Sequence, residues 1–399
     1  MSIKGKAYIM GAWEHPTRDA PDISTPQLHA QCAKGALDDA GLSHLDVDGY
    51  FCAGDAPGFG GLSMVDYMGL KNVRHLDSTE TGGSSYIVHV GHAAQAIAAG
   101  KCSVALITLA GRPRHGGRRP GARMDGGGAG GEALTDGPPE AGFENIYGGS
   151  THNTYGMCAM RHMHEFGTTS EQLAWIKVAA SHHAQWNEHA FLRDVVTVDE
   201  VVNSRMIADP LHLLDCCVVT DGGGALIVTS PGVARSLKRP KVKVIGAAEA
   251  PKGLQTGLDL DLTHSGAVWS GPRAFEEAGV KPGDIKYVSI YDSFTITVLM
   301  QIEDLGFCKK GEGGRFVSDG NLISGVGKLP FNTDGGGLCN NHPTNRGGIT
   351  KVIEAVRQLR GEAHPKVQVA NCDVALAHGT GGSLGTRHAA ATVIMEREG

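Results

Sequence analysis

Residues 36–42 read Ala-Leu-Asp-Asp-Ala-Gly-Leu, and residues 274–280 read Ala-Phe-Glu-Glu-Ala-Gly-Val. In both copies an Asp four residues later opens an apolar run, Asp46-Val47-Asp48 in one and Asp284-Ile285-Lys286 in the other, so the offset is 238 residues throughout. A second echo follows. Cys102-Ser103-Val104-Ala105-Leu106 comes after the helical Ala-Ala-Gln-Ala-Ile-Ala-Ala-Gly, and Cys372-Asp373-Val374-Ala375-Leu376 comes after the helical Ala-Val-Arg-Gln-Leu-Arg-Gly-Glu. Each half therefore reads helix, strand, helix, strand in the same order. Alternating strands and helices imply parallel pairing under covering helices, which makes the fold class α/β. The polar stretch Ser236-Leu237-Lys238-Arg239-Pro240 separates the halves, placing one at 1–238 and the other at 239–399.

Between the repeated parts lies an insertion-rich region, roughly 111–235. It opens with Gly111-Arg112-Pro113-Arg114-His115-Gly116-Gly117-Arg118-Arg119 and runs through Gly126-Gly127-Gly128. Such a segment is either a solvated loop or a loop that folds over an anionic ligand, since guanidinium groups match phosphate geometry. Further on, Thr169 and Gln172 stand at capping-box spacing before an apolar face of Leu173, Ile176, Val178 and Ala179.

The 399 residues are 41% hydrophobic and 20% charged, which fits a globular chain long enough to bury a large core. Glycine accounts for 58 of them, about twice ordinary usage, in short clusters that mark loops where backbone comes close to something. A formal charge of −6 argues against nucleic acid or an anionic membrane surface as partner. Nine cysteines without a Cys-x-x-Cys pair read as reduced core thiols, with no metal site in this chain. No signal-like apolar segment and no run of 18 apolar residues occurs, so the expectation is a soluble cytoplasmic protein.

Four loops concentrate reactive groups at strand ends or helix starts. Thr79-Glu80-Thr81-Gly82-Gly83-Ser84-Ser85 leads into a helix over 86–99, where exposed N–H groups and the helix dipole would stabilise an oxyanion beside a nucleophile. Ser84 could equally cap that helix. Asn332-Thr333-Asp334-Gly335-Gly336-Gly337-Leu338-Cys339-Asn340-Asn341-His342-Pro343 feeds a helix near Gly347, and His342 is placed for acid–base work or is a polar turn residue. Tyr291-Asp292-Ser293-Phe294 follows the apolar Val288-Ser289-Ile290, and His378-Gly379-Thr380-Gly381-Gly382-Ser383 follows Val374-Ala375-Leu376-Ala377. Both put polar groups where open α/β sheets hold ligands.

These loops, in this order on two repeated halves, resemble the thiolase superfamily, in particular its sterol-carrier-protein type. The resemblance spans nearly the whole chain and includes residues 161–169, 204–211, 215–225 and 332–343. The family's Gly-His-Pro base motif appears as Asn341-His342-Pro343, and the subgroup's His-Asp-Cys-Phe motif as Tyr291-Asp292-Ser293-Phe294. Two departures stand out. Residues 78–85 hold no cysteine, the equivalent of the family's nucleophile being Gly83 or Ser84, and the second family cysteine is replaced by Ser293. Chains with tyrosine in the Tyr-Asp-x-Phe motif are similar to thiolase-type subunits that work with a zinc-ribbon/OB-fold partner. That group includes both a 2-benzoylsuccinyl-CoA thiolase and a steroid side-chain aldolase that uses no nucleophile.

The resemblance implies a thiolase fold: two α/β halves with mixed five-stranded sheets in α-β-α-β-α layers, dimerising through the first half. It implies carbon–carbon cleavage of a bulky, aromatic β-oxoacyl-CoA, with coenzyme A as co-substrate. The family's aldolase carries tyrosine where this chain has His342, which tilts the expectation toward thiolysis; the alternatives are retro-aldol cleavage and a non-catalytic acyl-CoA-binding subunit. The catalytic candidates are Ser84, His342, Tyr291, Ser293 and His378. Gly83, Asn332, Gly381 and Gly382 are expected around the oxyanion, and His152, Arg112 and Arg114 at the substrate or CoA.

Overall fold

The computed structural model describes residues 2–115, 150–253, 261–343 and 347–398. Its strands are β1 (Ala7–Glu14), β2 (Gly49–Phe51), β3 (His75–Asp77), β4 (Val104–Gly111), β5 (Met206–Ala208), β6 (Leu211–His212), β7 (Gly222–Thr229), β8 (Val242–Lys252), β9 (Tyr287–Ile290), β10 (Val374–Gly382) and β11 (His388–Arg397). The repeat read in the sequence has a structural cause. Helix Thr25–Ala40 ends on Gly41 at φ 73°, and helix Ala267–Ala278 ends on Gly279 at φ 70°. These glycines, 238 residues apart, occupy the left-handed conformation that closes a helix and turns the chain back toward a strand.

Strand order repeats as well. In the first half β2, β4, β7 and β1 lie side by side, and in the second β9, β10, β11 and β8 do the same. The expected pair of five-stranded sheets is instead one mixed sheet of nine strands, ordered β3-β2-β4-β7-β1-β8-β11-β10-β9. Antiparallel pairing of Ala7 with Val244 and Ile9 with Val242 joins the halves edge to edge, which leaves neither inner edge open. The second half has four strands. Its fifth is reduced to a single parallel bridge from Val288 to Phe331, because the next residue, Asn332, turns at φ 41°.

The layering matches the expectation. Helix Thr25–Ala40 packs on β1, β4 and β7, and helix Ala267–Ala278 on β8 and β11, forming the outer layers. Helices Ser85–Ala98 and Gly348–Arg360 each touch strands of both halves and each other, forming the central layer. Their buried faces, with Ile87, Val90, Ile349, Val352 and Val356, share one core with Phe51, Ala391 and Val393 from the two parts of the sheet. Helix Ser170–Ala184 begins with the capping box expected at Thr169 and Gln172. All nine cysteines are free thiols, six of them buried. No helix among the described residues is long and apolar enough to cross a membrane.

The glycine excess has a specific use at the centre. A Cβ on Gly381 would lie 1.7 Å from the Thr81 carbonyl oxygen, and one on Gly348 would lie 2.1 Å from that of Gly83. The loop before helix Ser85–Ala98 is thus clamped against β10 and the first turn of helix Gly348–Arg360, which brings both halves together at one point. Gly381→Ala should lower the thermal midpoint by several degrees, the overpacking costing about 1–3 kcal/mol or more, whereas Gly283→Ala, with open space at its Cβ, should be neutral. Equal melting curves for the two variants would contradict the clamp.

Burial also fixes charge states. It pushes the imidazoles of His89, His183 and His342 down to about 4 and those of His378 and His388 down to about 3. The unfolded chain, with histidines near 6.5, binds more protons than the folded one below that pH. Stability from these groups is therefore complete above about pH 6.5 and declines as the pH falls toward 4. Thermal melts at pH 7.5, 6, 5 and 4.5 should show a steady fall of the midpoint; a flat profile over that window would refute neutral burial of these rings.

Candidate active site

Tyr291 leaves the end of β9 with its backbone held on both sides. Its N–H donates to the His378 carbonyl at 2.9 Å, and its carbonyl accepts from Gln301 Nε2 at 2.8 Å. This turns the ring inward, where its hydroxyl meets His342 Nε2 at 2.9 Å with the rings edge-on at 5.4 Å. Both side chains are buried, and a Cβ on Gly347 would lie 3.4 Å from the His342 ring and 3.8 Å from that of Tyr291. The start of helix Gly348–Arg360 therefore borders the pair. Burial raises the Tyr291 phenol well above its ordinary value of 10, and burial lowers His342 to about 4 against the opposing pull of Asp292. At neutral pH both groups are uncharged, and the short contact can pass a proton between them.

The loop carrying His342 is fixed from below by Asp292. Its carboxylate accepts the N–H groups of Gly337 at 2.8 Å and Leu338 at 3.1 Å and pairs with Lys351 Nζ at 2.6 Å. Asp292 is fully buried and Lys351 nearly so, and such a pair holds because backbone N–H groups satisfy the remaining lone pairs. In the sequence Asp292 stands out only as part of its motif, and Lys351 is not among the candidates. The available signal was three ionisable residues, Lys351, Glu354 and Arg357, along one face of a helix whose neighbours are apolar.

The first loop departs from the sequence expectation at the decisive position. A Cβ on Gly83 would lie 2.5 Å from Tyr291 Cζ and 2.3 Å from the Thr380 carbonyl oxygen. The Tyr291 ring thus fills the space a side chain at residue 83 would need. Ser84 is buried next door, and its hydroxyl donates to the Thr81 carbonyl at 2.8 Å with Thr81 Oγ1 at 3.0 Å. Its partners are therefore in its own turn, with no hydrogen bond to His342, and the hydroxyl does not cap the helix either.

Other candidates divide. Ser293 lies at the next corner, its hydroxyl 3.1 Å from Thr297 Oγ1 and its carbonyl accepting from Cys217 N–H at 2.9 Å. His152 reaches the same corner, its ring 5.8 Å edge-on from Phe294, which packs at 4.4 Å on Tyr155. Burial pushes the Cys217 thiol up, so this neighbour is no thiolate. His378 joins through its backbone alone. Side chains alternate along a strand, and while Gly379 and Gly381 face the first loop, the His378 ring turns to the opposite face and contacts Thr392 Oγ1 at 2.8 Å.

Asn332, expected near the oxyanion, is held by β9. Its amide accepts from Ile290 N–H and donates to the Ile290 carbonyl, both at 2.8 Å, imitating a neighbouring strand. Gly381 and Gly382 pair with Ala389 and His388 in the β10–β11 ladder, and at Gly381 the small residue admits the first loop. Arg112 is held by the Ala20 and Pro21 carbonyls, and Arg114 lies over the Phe191 ring and near Asp19. Arg118, Arg119 and Arg123 lie outside the described residues.

Residues 248–397 match the family model described as thiolase C-terminal domain-like. The steroid side-chain-cleaving aldolase of Thermomonospora curvata is 35% identical over 375 residues, covering 90% of this chain and 91% of that protein. The benzoylsuccinyl-CoA thiolase subunit BbsB of Thauera aromatica is 36% identical over 255 residues, 63% of this chain and 66% of that one. Among solved structures, the Ltp2-ChsH2(DUF35) aldolase superposes with a TM-score of 0.86 at 30% identity, over 99% of this chain and 98% of that one. With identity sustained along almost its entire length, and with the repeated halves and the His342 loop in place, the chain belongs to the thiolase superfamily, in its sterol-carrier-protein type.

Proposed function

We propose that this chain cleaves the Cα–Cβ bond of a bulky β-hydroxyacyl-CoA by a retro-aldol reaction, with no covalent acyl-enzyme. The observation that carries this reading is the Tyr291 ring, which fills the space a side chain at residue 83 would need and sets its hydroxyl 2.9 Å from His342 Nε2, while Ser84, the other position expected for a nucleophile, engages its hydroxyl within its own turn. The pair takes the proton of the β-hydroxyl, the C–O bond becomes a carbonyl, and the Cα–Cβ electrons pass into the thioester enolate. Cα then takes up a proton. The products are a ketone or aldehyde and the shortened acyl-CoA, without consumption of free CoA.

The aldolase relative covers nine-tenths of this chain, which supports the same chemistry. The thiolytic reading drawn from the sequence retains His342 and the thiolase relative in its favour, and it differs in requiring free CoA. The two-part name of the Ltp2-ChsH2(DUF35) aldolase supports a working unit of this chain, as a homodimer, with the zinc-ribbon/OB-fold subunit expected from the resemblance.

Product analysis tests the proposal. Incubated with that partner and a bulky β-hydroxyacyl-CoA, the protein should release the carbonyl product at the same rate with and without added CoA. Tyr291→Phe and His342→Gln should each lower kcat by at least about 100-fold, while Ser84→Ala stays within about threefold of the parent. Strict dependence on free CoA, or loss of activity in Ser84→Ala with Tyr291→Phe unaffected, would overturn it.

A further inference from the structure

The His342 loop is also held by a second buried chain of hydrogen bonds, which meets the Tyr291–His342 pair only at the His342 backbone N–H. His342 N–H donates to Thr220 Oγ1 at 2.8 Å. The Thr220 hydroxyl donates in turn to Asn341 Oδ1 at 2.7 Å, and Asn341 Nδ2 donates to Glu14 Oε1 at 2.9 Å. Glu14 Oε1 also accepts Arg18 Nη2 at 2.8 Å and Asn340 Nδ2 at 3.3 Å, and its other oxygen faces Arg357 Nη1 at 3.4 Å. Arg18 closes the figure by donating to Asn340 Oδ1 at 2.7 Å. Thr220, Asn340 and Asn341 are at most 1% exposed, and Glu14 and Arg18 are each 8% exposed.

The chain therefore ties three distant segments to one backbone N–H: the end of β1, the residues before β7, and the loop itself. Burial pushes the Glu14 carboxyl up, but the Arg18 and Arg357 guanidiniums hold it below its ordinary range, so it remains an acceptor for both asparagines. A hydroxyl that accepts on one side and donates on the other has a defined proton position, and linked bonds of this kind reinforce one another in a dry interior. Asp292 grips the loop at Gly337 and Leu338, several residues before His342. Thr220 grips at His342 itself.

We infer that Thr220 and Glu14 are positioning residues, holding the His342 imidazole at hydrogen-bond distance from the Tyr291 hydroxyl. The inference rests on the reading that His342 acts in the reaction. Thr220→Val keeps the shape and removes the hydroxyl, leaving His342 N–H and Asn341 Oδ1 unpaired; Thr220→Ser keeps the hydroxyl.

The test uses the full chain with its partner subunit and two readouts. In steady-state turnover, Thr220→Val should lower kcat about 10–100-fold with KM within about twofold, as expected when a reacting group shifts by a fraction of an ångström, and Thr220→Ser should restore most of the rate. Independently of any substrate, the ¹⁵N spectrum of histidine-labelled protein should show the His342 Nε2 signal, identified by its loss in His342→Gln, moving toward the free imidazole position in Thr220→Val and returning in Thr220→Ser. Should Thr220→Val not fold, Glu14→Gln serves instead; it keeps an acceptor oxygen but weakens the Arg18 tie, and should give a smaller change in the same direction. Parental kcat and an unmoved Nε2 signal in these variants would overturn the inference, as would a kcat loss no larger than the fall in folded fraction. If the parent gives no retro-aldol product, the proposed function falls while the spectrum still decides the positioning role.

Discussion

The Thr81 and Gly83 carbonyls lie so close to β10 and to the first turn of helix Gly348–Arg360 that Gly381 and Gly348 can carry no side chain. That backbone contact joins the two halves at their active ends, and the rest of the site depends on it. Because the first loop sits this deep, Gly83 meets the Tyr291 ring directly. Tyr291 is pinned by His378 and Gln301 through its own backbone, and its ring is buried with the hydroxyl on His342. A chain of steric necessities thus leaves residue 83 without a side chain and gives its space to a phenol.

Electrostatics follow from the same close packing. With water excluded, ionising the tyrosine or the histidine is costly, so the pair stays neutral and suited to moving a proton between oxygen and nitrogen. The charges needed to hold the loop are kept one shell away. Asp292 with Lys351 grips it at Gly337 and Leu338, and Glu14 with Arg18 and Arg357 at Asn340 and Asn341, each acting through backbone or amide N–H groups. This separation lets the Tyr291–His342 pair remain uncharged within a rigid frame.

The α/β class, the repeat and the four loops were legible because each is written in short stretches: a helix end at Gly41 and again at Gly279, apolar runs before Tyr291 and His378, a triple glycine before His342. What was not legible depends on contacts between residues far apart. Pairing of β1 with β8 merges two expected sheets into one, and no local pattern announces an edge that is covered by the other half. Asn332 reads as a polar loop residue until Ile290 is seen to take both ends of its amide. His378 lies in the right loop but one residue out of phase, and strand alternation sends its ring to the far face. Ser84 was the natural candidate for an oxygen nucleophile, and only the position of Thr81 shows its hydroxyl engaged within its own turn.

The central claim is that carbon–carbon cleavage here proceeds without a bond to the protein. The most direct measurement is the intact mass of the chain, quenched in acid during turnover of a bulky acyl-CoA substrate in the presence of its partner. The account predicts the unmodified mass at every time point while product accumulates. An adduct with the mass of the acyl group, rising and falling with turnover and mapping to the first loop, would contradict it.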